Sequence, residues 1–197
     1  MALEPLGQRA LHVAIDMQRL FAEPTDWYVP ALAGIVANVE RLARERADLT
    51  LFARFLVPPS AAEAPGRWRR HYQRWPSVAG DRLDPALIDL VAPLATLARP
   101  DRVIDKHGYS VFGAEGFAGM LAHRGVDALV FSGVETDVCV LASVLDAVDL
   151  GLRVVVVSDA VTSADLDVHA IVLGRLLPRL DAQVEIATTE AVLAAWA

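Results

Sequence analysis

Short apolar runs rich in β-branched residues alternate along the chain with longer segments of helical period. Such runs read as strands buried on both faces, and their alternation with helices predicts stacked βα units around a mainly parallel sheet. Six strands are expected, at 12–15, 49–55, 102–104, 128–131, 153–157 and 184–186. Helices are expected between them at 31–46, 85–98, 114–124, 137–150 and 165–180, with a last turn or two at 190–196. The punctuation agrees with this reading. Asp84-Pro85 supplies an N-cap followed by proline at the first helical position, and Gly125 and Gly151 fall where helices need a left-handed stop. The fold class is therefore α/β, built on a six-stranded, mainly parallel sheet.

One segment breaks the rhythm. Residues 58–82 are rich in proline, arginine and aromatics and show no clean period, so they read as an excursion over the sheet. Loops of this length in a compact domain usually serve as a lid or an interface. At 197 residues the chain is long enough for one full core and short for two, which predicts a single domain over 1–197.

Composition narrows the function classes. Apolar residues make up 54% of the chain, but no uninterrupted apolar run approaches the roughly 20 residues that cross a bilayer. The formal charge of −7 argues against a general binder of nucleic acid or anionic membrane. The start carries Glu4 and Pro5 and lacks a basic head and a small-residue cleavage site, so a cytoplasmic location is expected. A single cysteine cannot form an internal disulfide, which fits a reducing compartment. The large apolar fraction leaves room for a subunit interface, and a homo-oligomer, dimer or tetramer, is expected.

Two residue counts carry chemistry. Lys106 is the one lysine among eighteen basic residues, the others being arginine. Arginine's planar fork cannot replace a compact ammonium whose pKa can be tuned, so a lone surviving lysine suggests a role of its own; a chance surface lysine is the plain alternative. Open parallel sheets bind ligands beyond the carboxyl ends of their strands. The first strand ends in Asp16, the third in Asp105-Lys106-His107, and the fourth in Ser132-Gly133 followed by Val134-Glu135-Thr136-Asp137-Val138-Cys139. Thr136 or Asp137 is positioned to cap the following helix, which puts Cys139 in its first turn, where free N–H groups and the helix dipole acidify a thiol and cradle an oxyanion. A buried structural cysteine is the competing interpretation.

Three motifs together resemble the isochorismatase-like cysteine hydrolases, a family that includes nicotinamidases, N-carbamoylsarcosine amidohydrolase and ureidoacrylate amidohydrolases. They are Ala14-Ile15-Asp16-Met17-Gln18-Arg19-Leu20-Phe21, Ile104-Asp105-Lys106-His107-Gly108-Tyr109-Ser110-Val111-Phe112 and Ser132-Gly133-Val134-Glu135-Thr136-Asp137-Val138-Cys139-Val140. Each is weak alone; three in register, holding the sole lysine and the sole cysteine, are specific. The resemblance implies a three-layer, doubly wound sheet with helices on both faces, Asp16, Lys106 and Cys139 as a catalytic triad, and a cis peptide at Val134–Glu135. It also implies an oxyanion hole from the N–H groups of Glu135 and Cys139. The implied reaction is hydrolysis of a C–N bond in a small amide, imide or ureido substrate through a thioester, with no organic cofactor. Glu135, Asp105 and Asp159 are other carboxylates able to act as the base; Asp16 is preferred because it ends an apolar strand and matches the motif.

Departures from the family refine this. Nicotinamidases add a metal site of an aspartate and histidines after strand two, where this chain has Ala53-Arg54-Phe55-Leu56-Val57-Pro58-Pro59, so no metal is expected. Phe21, Arg54, Trp75, Tyr109 and Phe112 are candidate substrate contacts, with Arg54 placed to hold a substrate carboxylate or, equally, to anchor the excursion by an ion pair. Trp68, Tyr72 and Trp75, among Arg67, Arg69, Arg70, His71 and Arg74, suit an interface for the most part and a pocket for one or two residues. His107, next to Lys106 on an extended segment, points the other way; His12, His123 and His169 read as solvated or packed. The rival functions are a vinyl ether hydrolase with Asp16 as general acid and a non-catalytic scaffold or thiol redox sensor. A dinucleotide-binding protein is disfavoured, because no Gly-x-Gly-x-x-Gly follows the first strand.

Overall fold

In the computed structural model, which describes residues 3–196, the apolar runs form one sheet whose neighbouring strands are all parallel. The strands are β1 (Ala10–Ile15), β2 (Thr50–Phe55), β3 (Val103–Lys106), β4 (Ala128–Val134), β5 (Arg153–Thr162) and β6 (Val184–Ala187), in the spatial order β3-β2-β1-β4-β5-β6. Every residue of the central strands β1 and β4 is buried. Successive side chains point to opposite faces, so both faces of the sheet centre are covered, as the unbroken apolar runs require. The order reverses between β1 and β4, and their carboxyl ends flank the crevice where such sheets bind ligands.

The helices are α1 (Arg19–Ala22), α2 (Leu32–Glu45), α3 (Trp68–Arg74), α4 (Ala92–Ala95), α5 (Phe117–His123), α6 (Leu141–Asp149), α7 (Leu166–Ile171) and α8 (Thr189–Ala195). The α2 helix shows why the periodic segments fold as they do. Leu32, Ile35, Val39 and Leu42 recur at helical spacing and are buried, and the stripe packs on β4 and β5. Asp84 caps its turn by accepting from Ala86 N–H, and Gly125 and Gly151 adopt left-handed φ of 62° and 74° after α5 and α6.

The differences from expectation have local causes. The segment 85–98 is two short pieces, a 3-10 turn at Pro85–Ile88 and α4, rather than one helix. Its middle serves the site instead: Arg19 N–H donates to Asp89 O, Val91 N–H donates to Met17 O, and Gln18 bridges Leu90. Pro93 removes a further helical donor. The segment 165–180 starts as α7, widens at Val172–Leu176 and ends in a 3-10 turn at Leu177–Leu180, where Pro178 cannot donate to the turn before it. The excursion 58–82 holds α3, whose Tyr72 is buried against Trp27 and Trp68. Its ends are tied by Gly80 N–H donating to Pro58 O at 2.9 Å. No helix among the described residues is long and apolar enough to cross a membrane.

Candidate active site

Asp16 follows the last residue of β1 and is fixed by β2, its N–H donating to Ala53 O at 2.9 Å. Its φ of 52° is the one left-handed value among the described non-glycine residues, a conformation that aspartate tolerates better than most. Lys106 ends β3 opposite Phe55. Its stem crosses the end of β2 so that Nζ sits 4.7 Å from the Phe55 ring centroid and donates to Asp16 Oδ2 at 2.8 Å and Gly108 O at 3.1 Å. Both charged side chains are fully buried. Asp16 Oδ1 is also buried and has no hydrogen-bond partner.

The third residue comes from the β4 exit. Gly133 has φ 107°, and a Cβ there would stand 2.0 Å from Ile15 O, so only glycine lets β4 close on β1 at this point. The Val134–Glu135 peptide that follows is cis. Thr136–Val140 then makes a wide turn, with Val140 N–H donating back to Glu135 O at 3.0 Å, before α6 begins. Cys139 lies in this turn at 6% exposure, close enough for its proton to couple to Asp16 and Lys106 but without a well-aligned hydrogen bond to either. The expected caps are used otherwise. Thr136 pairs its hydroxyl with His169 Nδ1 at 2.9 Å, and Asp137 accepts from the Ser163 hydroxyl at 2.5 Å. The Glu135 carboxylate accepts from Ala164 N–H at 2.8 Å, so three successive residues of the turn are tied to the β5–α7 connection. The N–H of Glu135 finds no acceptor among the described residues.

The proton balance corrects the expectation of an acidic thiol. Burial, and after it the Asp16 charge, push Cys139 well above its ordinary value, with Lys106 pulling the other way. Burial likewise pushes Asp16 up against the pull of Lys106. Burial draws the Lys106 ammonium down, but Asp16 and Cys139 outweigh it and leave it raised. Lys106 is thus held towards its ammonium form and Cys139 towards its thiol form. A helix start alone does not acidify a thiol that is removed from water beside a carboxylate.

Cys139 opens on a cavity of about 280 Å³. Of the candidate substrate contacts, Phe21, Trp75 and Tyr109 line it, as does Glu135. Arg54 does not. It makes a two-pronged ion pair with Asp105 on the adjacent strand, at 2.8 and 2.9 Å, because the β2–β3 register sets these residues opposite each other. Phe112 is also outside, packed edge-on against Phe117 at 5.0 Å. From the excursion His71 and Trp75 reach the cavity, while Tyr72 is core and the arginines are exposed. His107 is exposed where Lys106 is buried, as alternation along a strand demands. Sequence reasoning missed Asp26, Trp27, Tyr28 and Phe55. Phe55 was visible as an aromatic at a strand exit. The others stand between Pro24 and Pro30 directly after the first motif, a signal of the same kind. Among the described residues no cluster of three or more His, Cys, Asp or Glu is arranged to hold a metal ion.

An all-parallel α/β sheet thus gathers a lysine, an aspartate and a cysteine at its switch point. The isochorismatase domain model matches residues 10–191, and the chain belongs to the isochorismatase family of hydrolases. It is 29% identical over 170 residues to maleamate amidohydrolase of Pseudomonas putida, covering 83% of this chain and 76% of that one. It is 29% identical over 188 residues to ureidoacrylate amidohydrolase of Pseudomonas syringae pv. syringae, covering 82% and 75%. The crystal structure of a cysteine hydrolase from Pseudomonas syringae pv. phaseolicola shares the fold, with a TM-score of 0.81 and 24% identity over 99% of this chain and 96% of that one.

Proposed function

We propose that this protein hydrolyses a C–N bond of a small amide, imide or ureido compound through a thioester on Cys139, with Asp16 as proton carrier. The observation that carries the proposal is the buried Lys106–Asp16 pair, one of whose carboxylate oxygens is left unpartnered near a thiol that opens on a cavity. The names of two relatives, maleamate amidohydrolase and ureidoacrylate amidohydrolase, support the type of bond cleaved.

Cys139 Sγ attacks the carbonyl carbon as its proton passes to Asp16, so a charged thiolate need not accumulate. The carbonyl oxygen takes up negative charge and is received by the backbone N–H groups of Glu135 and Cys139; one such donor is typically worth about 100- to 1,000-fold in rate. The C–N bond breaks as Asp16 returns the proton to nitrogen, releasing ammonia or an amine. Water then attacks the thioester, giving its proton to Asp16, and the S–C bond breaks as sulfur recovers that proton. One amide and one water give one acid and one amine, and no step calls for a cofactor. Lys106 keeps Asp16 ionised in a site that burial would otherwise protonate.

The test is ammonia release from a panel of small amides, imides and ureido acids, run on the wild type and Cys139→Ala together. Turnover by the wild type and background rates for the variant are expected, with an acyl adduct on Cys139 trapped by acid quench and found by mass spectrometry. Full turnover by Cys139→Ala would remove the thioester route.

A further inference from the structure

We infer that the substrate carries a positive charge at the end remote from its scissile carbonyl, and that Asp26 at the cavity mouth selects it. The inference rests on the amide-hydrolase proposal above and concerns the same cavity. In a chain with seventeen arginines, no arginine or lysine lines this cavity, whereas two carboxylates, Asp26 and Glu135, do. Each basic group nearby is otherwise engaged or points elsewhere. Lys106 is neutralised by Asp16, and Arg54 is neutralised by Asp105 outside the cavity. The Arg74 guanidinium is exposed and stacks 5.1 Å from the Trp75 ring centroid. His71, which does line the cavity, is pushed down by burial and then by the Arg74 charge, which disfavours its cationic form.

An anionic end group would therefore lose water in a cavity whose unmatched charges are negative, and such a mismatch costs specificity. A cation meets the opposite situation. One oxygen of Asp26 accepts from the Ser77 hydroxyl, which fixes the carboxylate, and no basic side chain among the described residues pairs with it. Trp27, Tyr28, Trp75 and Tyr109 line the same space, and aromatic faces beside a carboxylate are the usual setting for an organic cation. Burial pushes the Glu135 carboxyl up against the pull of its hydrogen bond from Ala164 N–H, so the selection rests on Asp26. The volume, about 280 Å³, suits a compact molecule.

Three amides of matched length test this: 4-aminobutanamide as the cation, pentanamide as the neutral compound and succinamate as the anion. At low salt the expected order of kcat/KM is cation, neutral, anion, with at least about tenfold between first and last, narrowing as ionic strength rises. Asp26→Asn is expected to shrink the cation-to-neutral ratio about tenfold. Ser77→Ala, which removes the hydrogen bond but keeps the charge, is expected to hold that ratio within about twofold. Equal or faster turnover of succinamate, or an unchanged ratio in Asp26→Asn, overturns the inference. If none of the three is hydrolysed, the C–N hydrolase reading is decided by the wider amide, imide and ureido panel, and charge selection is read separately on Cys139→Ala. There, quenching of tryptophan fluorescence by 4-aminobutanamide at lower concentration than by succinamate supports it; the reverse order, or no response to the cation, refutes it.

Discussion

Lys106 Nζ meets Asp16 Oδ2 at 2.8 Å although β2 lies between the strands that carry them. Strands two positions apart are separated by about 10 Å, and the four-carbon stem of lysine crosses that distance over the Phe55 ring. The compact ammonium ends the reach with hydrogen bonds to one carboxylate oxygen and one backbone carbonyl. A guanidinium is larger and needs more acceptors than this buried space offers, which accounts for a lysine in a chain otherwise committed to arginine.

That pair should be strongly coupled. Removing either partner leaves a buried charge alone, which typically costs about 3–5 kcal/mol. Lys106→Met and Asp16→Leu are each expected to lower stability by that order. The double variant should recover much of the loss while staying inactive. Urea titrations of all four proteins give the coupling directly, and simple additivity would show that the pair is not the isolated unit described here.

In the proposed reaction Asp16 sets the pH behaviour. Asp16 must be ionised to accept the proton, and burial raises its pKa above the ordinary 3.8, so the acid limb of kcat/KM should lie above the usual carboxylate range. The three groups titrate as one coupled set, so the limb belongs to the triad rather than to Asp16 alone. In the free enzyme the ultraviolet absorbance of thiolate should be missing near neutral pH and rise only well above 9. A thiolate already present at neutral pH would mean that the proton rests on Asp16 before substrate arrives.

The sequence made the centre of the site legible and left its walls obscure, for a physical reason. Asp16, Lys106 and Cys139 sit at strand ends, and the apolar pattern that marks a buried strand also marks where it stops. Arg54, at the end of β2, and Phe112, in the turn after β3, face other partners. Which way they turn depends on register and packing that no single segment encodes. The thiol's surroundings are hidden on the same ground: the helix start is visible in the sequence, but the burial that pushes Cys139 up is not. Segment 85–98 has good helix formers, yet its backbone is drawn away to hold Met17, Gln18 and Arg19 beside the site.

His12 offers a separate test, in the sheet rather than the site. The Thr50 hydroxyl donates to Arg46 O at 2.9 Å, so its oxygen accepts from His12 Nδ1–H at 3.1 Å, and Nε2 then accepts from the Ser132 hydroxyl at 2.7 Å. Full burial lowers this histidine from 6.5 to about 3. Above pH 6.5 both folded and unfolded chains hold it neutral. Below that the unfolded chain gains a proton that the folded one refuses, so stability falls by up to about 1.4 kcal/mol per pH unit as pH drops towards 3. His12→Phe should be less stable near neutral pH, yet the difference between it and the wild type should shrink by pH 5. Urea midpoints across that range decide the matter; a constant difference would mean that His12 is protonated in the fold.

Two glycine-to-alanine changes should move stability in opposite directions. At Gly133 the added Cβ would meet Ile15 O at 2.0 Å and Ile15 N at 2.7 Å, all backbone, at a φ of 107° that side chains rarely adopt. Neither strand can yield without disturbing Asp16 on one side or the turn of Cys139 on the other, so Gly133→Ala is expected to cost about 3 kcal/mol or more and to abolish turnover. Gly34, in α2, has nothing within 4 Å of its built Cβ and ordinary helical geometry, so alanine there should stabilise by roughly 0.5–1 kcal/mol through helix propensity and reduced freedom of the unfolded chain. Thermal or urea unfolding of the two variants beside the wild type separates the cases. A tolerated Gly133→Ala with full activity would show that β4 does not approach β1 this closely, and with that the placement of the nucleophile beside Asp16 would lose its structural basis.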